Sequence, residues 1–182
     1  MQVKNNLLWV LIIVLSVSCA KSYDTDQEMV EYIQDEDNSY VYKKTIGNVE
    51  YTLQYRPTDL LVNQELRGNK DPKKIEELRK KYKKNLYFNL SMSQNSQEVL
   101  NNLAGDQQAF AQMADELIFR IGEKVHLFTP AYDTLAMRDF VYPRMYGATK
   151  TTTIMFVYPR DKEFLSKEYL NFTIEDFVLS TG

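Results

Sequence analysis

The chain has 182 residues, with 22 Lys and Arg against 25 Asp and Glu, one histidine and one cysteine. A net charge of −3 argues against general nucleic-acid binding, which carries a basic balance. A lone cysteine excludes an internal disulfide, and a lone histidine, His126, excludes a two-histidine metal site, so the composition points to no metal and no cofactor.

The chain opens with Lys4, an apolar run of nine residues from Leu7 to Leu15, and Ser16 and Ser18 just before Cys19. A bilayer-spanning helix needs about 20 apolar residues. A positive start, a short apolar core and small residues before a cut instead predict a cleaved secretory signal over residues 1–18. The single cysteine stands at that cut. The arrangement resembles the lipobox of bacterial lipoproteins, whose cysteine is acylated and becomes the first mature residue. The family pattern places an aliphatic residue three positions earlier; Ser16 stands there, with Leu15 one step further out. The resemblance covers residues 1–19 only. It implies palmitate-type lipidation at Cys19 and a membrane as partner. Ala20, where inner-membrane retention takes aspartate, implies the outer membrane, with the leaflet left open. Each acyl methylene buried contributes about 0.8 kcal/mol, and two chains anchor stably.

Removal of 18 residues leaves 164, enough for one domain with a sizeable core. Aromatic content of 13% favours a sheet-rich fold, since rings suit half-buried pleated surfaces. Residues 19–38 read as a lipid-anchored acidic tether, with seven acids and no base between 24 and 38. Within it Met29, Val30, Tyr32 and Ile33 allow a short helix. Residues 39–182 read as the single domain.

Tyr40–Ile46 and Val49–Arg56 flank Gly47-Asn48, a hairpin signal. Val49, Tyr51, Leu53 and Tyr55 share its inner face by alternation. A short helix follows Pro57 and closes near Gly68. Asp71 and Pro72 start the next helix as N-cap and first residue, and it runs to Asn85. Ile75, Leu78 and Tyr82 form its apolar stripe, with Glu76–Lys80 and Glu77–Lys81 as ion pairs. Leu86, Phe88, Leu90 and Met92 alternate as a strand. A helical region from Ser96 to Phe119 is broken at Gly105-Asp106. Strands follow over 120–128, 134–142, 151–158 and 169–179, the first with a turn at Gly122-Glu123. Helices grouped between sequence-adjacent strands predict an α+β fold, a mostly antiparallel sheet with two or three helices packed on it.

Four features are candidates for function. The basic helix carries Lys73, Lys74, Arg79, Lys80, Lys81, Lys83 and Lys84, and residues 70–84 sum to +5. It suits an acidic partner or anionic head groups; the simpler reading is a solvated face. The pentapeptide Phe-Val-Tyr-Pro-Arg occurs at 140–144 and 156–160. Tyr142, Arg144, Tyr158 and Arg160 would line a pocket for a carboxylate or sugar, whereas the simpler reading is that each proline ends a strand. Antiparallel pairing would put the two copies at opposite ends of their hairpin. Asp133-Thr134-Leu135 resembles a short bacterial O-glycosylation sequon, with Thr134 as acceptor. His126 sits opposite Val125 and Leu127 and is expected to face solvent. No nucleophile elbow or phosphate-cradling glycine loop is present.

The expectation is a non-enzymatic envelope lipoprotein acting as an accessory, scaffold or interaction subunit for another envelope protein. The alternatives are a glycan- or peptide-binding module using the tyrosine-rich sheet face, and a hydrolase whose site the sequence hides.

Overall fold

The structure, a computed structural model, describes residues 26–143 and 148–175. Its architecture is α+β. A six-stranded antiparallel sheet has the order β1-β2-β3-β8-β7, with short β4 on β3, and a three-stranded sheet has the order β6-β5-β9.

Local chemistry builds the first hairpin. β1 (Val41–Ile46) pairs with β2 (Val49–Tyr55) across Gly47, whose φ of 59° puts glycine where the first turn position demands it. β2 pairs with β3 (Asn85–Gln94), which turns at Asn95 and Ser96, both at positive φ, into β4 (Gln97–Glu98). β3 also pairs with β8 (Thr152–Pro159), and β8 with β7 (Asp139–Val141). The inner face carries Val49, Leu86, Leu90, Met92, Ile154, Phe156 and Tyr158, all buried.

Two layers cover the large sheet. On the inner face lie α4 (Gln107–Asp115), one π-helical turn (Glu116–Arg120), α5 (Ile121–Lys124) and the small sheet of β5 (Val125–Phe128), β6 (Thr134–Leu135) and β9 (Asn171–Ile174). Asp106 caps α4 by accepting from the Gln108 and Ala109 amides. On the outer face lie α2 (Thr58–Leu66) and α3 (Pro72–Tyr82), where Leu61 packs with Tyr87 and Val157. Asp71 caps α3 through the Lys73 amide, as its sequence predicts. A short helix, α6 (Lys162–Leu165), joins β8 to β9.

Several expectations change. Residues 26–38 are not a solvated spacer. α1 (Asp26–Gln34) folds, and Met29 and Ile33, one turn apart, are buried against Leu60 of α2. A 3-10 turn at Glu36–Asn38, capped by Asp35, then delivers the chain to β1. The turn expected at Gly122 is helical, because Ile121 inserts fully into the core and keeps the helix running to Lys124. The strand expected over 134–142 divides between the sheets: Leu135 pairs with Leu127 of β5, and Phe140 with Phe156 of β8. Most of the turn expected at 145–148 lies outside the described residues, as do Cys19 and residues 1–25 and 176–182.

Candidate functional site

The basic helix is largely spent on its own fold. Arg79 Nε meets Asp59 at 2.8 Å and Lys81 Nζ meets Glu65 at 2.7 Å, both acids of α2. Tyr82 donates to the same Glu65, and together the Lys81 and Tyr82 bonds hold that carboxyl below its ordinary range. Glu76 pairs with Lys80 as expected, but Glu77 pairs with Lys74, because Lys81 is drawn to α2. Among the described residues no ion pair engages Lys73, Lys83 or Lys84.

The repeated pentapeptide makes no single pocket among the described residues. Phe140 and Phe156 face each other across β7 and β8, ring centroids 6.4 Å apart, and the strands then run in opposite directions. Tyr158 is a core residue, fully buried, donating to the Val125 carbonyl at 3.5 Å, with its phenol pushed far up by burial. Tyr142 stands with Phe110 and Ile118 around a cavity of about 140 Å³ beside buried Glu98. Arg160 donates to the Tyr55 hydroxyl at 3.0 Å. Arg144 lies outside the described residues. Thr134 is exposed on β6. His126 meets the Glu175 carboxylate at 2.8 Å, with Lys124 3.4 Å from the same group; these contacts hold the Glu175 carboxyl below its ordinary range. Glu175 is exposed and Lys124 and His126 are half-buried, and among the described residues no group of His, Cys, Asp and Glu forms a metal site.

The feature that sequence reasoning missed is a groove. Among the described residues the small sheet ends at β9, and part of the inner face of β1 and β2 projects past it without a strand above. One cleft of about 390 Å³ has Tyr42, Ile46, Tyr51 and Leu53 as floor and Phe172–Ile174 as wall. A second, of about 370 Å³, shares Tyr42 and continues past Tyr55, Phe88, Arg160 and Tyr169. Tyr42 is 61% exposed, which is unusual for a ring on the inner face of a sheet. The floor is rigid. Tyr32, Tyr40, Tyr55, Phe88 and Phe172 form a run of ring pairs with centroids 5.5–6.1 Å apart, linking α1 to β9. Each such pair contributes about 0.5–1.5 kcal/mol beyond area burial. The tyrosines were legible as one face of β2; that Tyr42, beside them on β1, stays exposed depends on where β9 stops.

No family model matches the chain, and no curated protein matches it. A protein of unknown function from Burkholderia pseudomallei K96243, known from a crystal structure, is similar at 12% identity over 82% of this chain and 84% of that chain, with a TM-score of 0.36. At that score the likeness carries no argument about fold or function.

Proposed function

We propose that this chain is a non-enzymatic lipoprotein of the bacterial envelope, anchored through acylated Cys19 in the outer membrane, that serves as an interaction subunit for another envelope protein. The observation that carries the interaction is the cleft over β1 and β2, with the ring of Tyr42 exposed in its floor. Exposed rings on a concave surface resemble the anchors of protein interfaces, where aromatic residues dominate binding energy. The anchor rests on the lipobox-like residues before Cys19. The basic helix is the weaker docking candidate, because Arg79 and Lys81 are held by α2.

Affinity recovery of the tagged full chain from detergent-solubilised membranes tests this, beside Cys19→Ala and Tyr42→Asp copies. The expected result is a stoichiometric partner that follows the wild-type chain and is lost with Tyr42→Asp, together with release of the Cys19→Ala copy from the membrane fraction. Recovery of the chain alone overturns the interaction reading. Membrane retention of the Cys19→Ala copy overturns the anchor.

The second reading is a glycan-binding module on the same floor. Tyr42 and Tyr169, 61% and 54% exposed, offer faces for sugar stacking, and Arg160 offers a guanidinium for an acidic sugar. Glycan-array binding that survives in the absence of any protein partner would favour it.

A further inference from the structure

The groove has a backbone as well as side chains. Among the described residues β9 pairs with β5 alone. The Glu175 amide donates to the Lys124 carbonyl, and the register sets Glu175 opposite Lys124, Thr173 opposite His126 and Phe172 opposite Leu127. Hydrogen-bonded and non-hydrogen-bonded pairs alternate along an antiparallel ladder. Thr173 therefore turns its N–H and C=O toward β5, while Phe172 and Ile174 turn theirs outward, over the floor of β1 and β2.

Free edges are normally guarded. β1, the edge of the large sheet, carries Lys43 and Lys44 in its centre, a common defence against unwanted pairing. β9 reads Asn-Phe-Thr-Ile and has no lysine or proline. An unguarded edge beside an open apolar floor is the geometry of strand addition, in which backbone bonds supply affinity and alternate side chains drop into pockets.

Charge narrows the occupant. Among the described residues the lining of the two clefts includes Lys43, Lys44, Arg160 and Lys167 and no acid, on a chain whose net charge is −3. Lys43 is already held by Glu36 at 2.7 Å, which leaves Lys44, Arg160 and Lys167 to meet a partner. The nearest acid beyond β9, Glu175, is engaged by His126 and Lys124.

We infer that the groove receives an extended acidic segment of the partner protein, which joins the small sheet as a fourth strand beside β9 and lays alternate apolar side chains on the tyrosine floor. This rests on the interaction reading above and specifies the partner's chemistry. Basic residues at the rim set orientation and association rate.

The test uses the full chain in detergent micelles and three synthetic eight-residue peptides. One alternates Asp or Glu with Val or Ile. The second replaces its acids with lysine. The third is the acidic peptide with alternate backbone amides methylated. The acidic peptide is expected to bind at least about tenfold more tightly than the lysine peptide at low salt. Methylation should remove that binding, and the bound peptide should slow amide exchange at Phe172 and Ile174. A Lys44→Glu, Arg160→Glu double variant, altered only at exposed positions, should lose the preference for acid. Equal affinity for acidic and basic peptides, unchanged exchange over β9, or full binding of the methylated peptide each overturns strand addition by an acidic segment. A Tyr42-dependent partner recovered from membranes alongside any of those results leaves the interaction reading standing and removes this inference alone. Absence of any partner removes both.

Discussion

Replacing Ile33 with alanine tests whether α1 belongs to the folded domain. Ile33 is 2% exposed and packs with Met29, Leu60, Val30 and Tyr40 between α1 and α2. The substitution removes three buried carbons. At about 0.8 kcal/mol per buried methylene, the transfer loss alone is roughly 2.4 kcal/mol. Cavity formation raises such losses to about 2–5 kcal/mol in well-packed cores. This cluster is small and lies near the surface, with Val30 only partly covered, so its neighbours can close over part of the gap. The expected loss is therefore about 2–3 kcal/mol, the low end of that range. For a domain of this size it lowers the melting temperature by about 5–10 °C. Urea and thermal unfolding followed by far-ultraviolet circular dichroism measure it, with Gln34→Ala on the exposed side of α1 as control. The control should stay within about 0.5 kcal/mol of the wild type. A loss of less than about 0.5 kcal/mol for Ile33→Ala would refute the packing argument and restore α1 to a spacer.

A Cβ at Gly122 would lie 2.9 Å from the Phe140 ring, so Gly122→Ala should cost about 1–3 kcal/mol despite alanine's better helix propensity. Gly105→Ala, with open space around it, should be neutral by the same unfolding assay. Asp106→Ala removes the acceptor for two α4 amides and should cost about 1 kcal/mol; an unchanged urea midpoint would show that the cap is dispensable. Acid should weaken the fold. The carboxyls of Glu65, Glu76 and Glu175 are held below their ordinary 4.5, chiefly by hydrogen bonds from Lys81, Lys80 and His126. The unfolded chain therefore takes up protons first as pH falls, so their contribution is complete above that ordinary value and fades as pH drops through the lower folded values. All three are solvent-exposed, so the effect should be small and should shrink in salt. A urea midpoint that rises between pH 7 and pH 3 would contradict it.

The parts of the fold legible in the sequence are those decided within a few residues. Gly47-Asn48 between alternating runs dictates a hairpin, and Asp71-Pro72 dictates a helix start, whatever surrounds them. The α+β class follows from the order of such pieces. What the sequence hid depends on distant partners. Met29 and Ile33 have helical spacing, but the acids around them outweigh that signal until Leu60 is seen beside them. Phe140 and Leu135 lie five residues apart in one strand-like run, yet each has a different sheet to join. Lys81 could reach Glu77 on its own helix, and prefers Glu65 on the neighbouring one. The groove is the extreme case, since it exists only because β9 stops where β1 and β2 continue.

The packing of α1 against α2 also sets a leash length. The described residues begin at Asp26, seven residues after Cys19. A fully extended chain covers at most about 3.3–3.6 Å per residue, so seven residues reach no more than about 25 Å. With an acyl anchor at Cys19, the domain would be moored close to the bilayer. Tyr42 stands two residues after Tyr40, whose ring packs on Tyr32 of α1, so the groove would lie on the side of the domain where the chain enters from such an anchor. A partner would then have to offer its strand at the membrane surface, which favours other membrane-bound proteins over soluble ones passing at a distance.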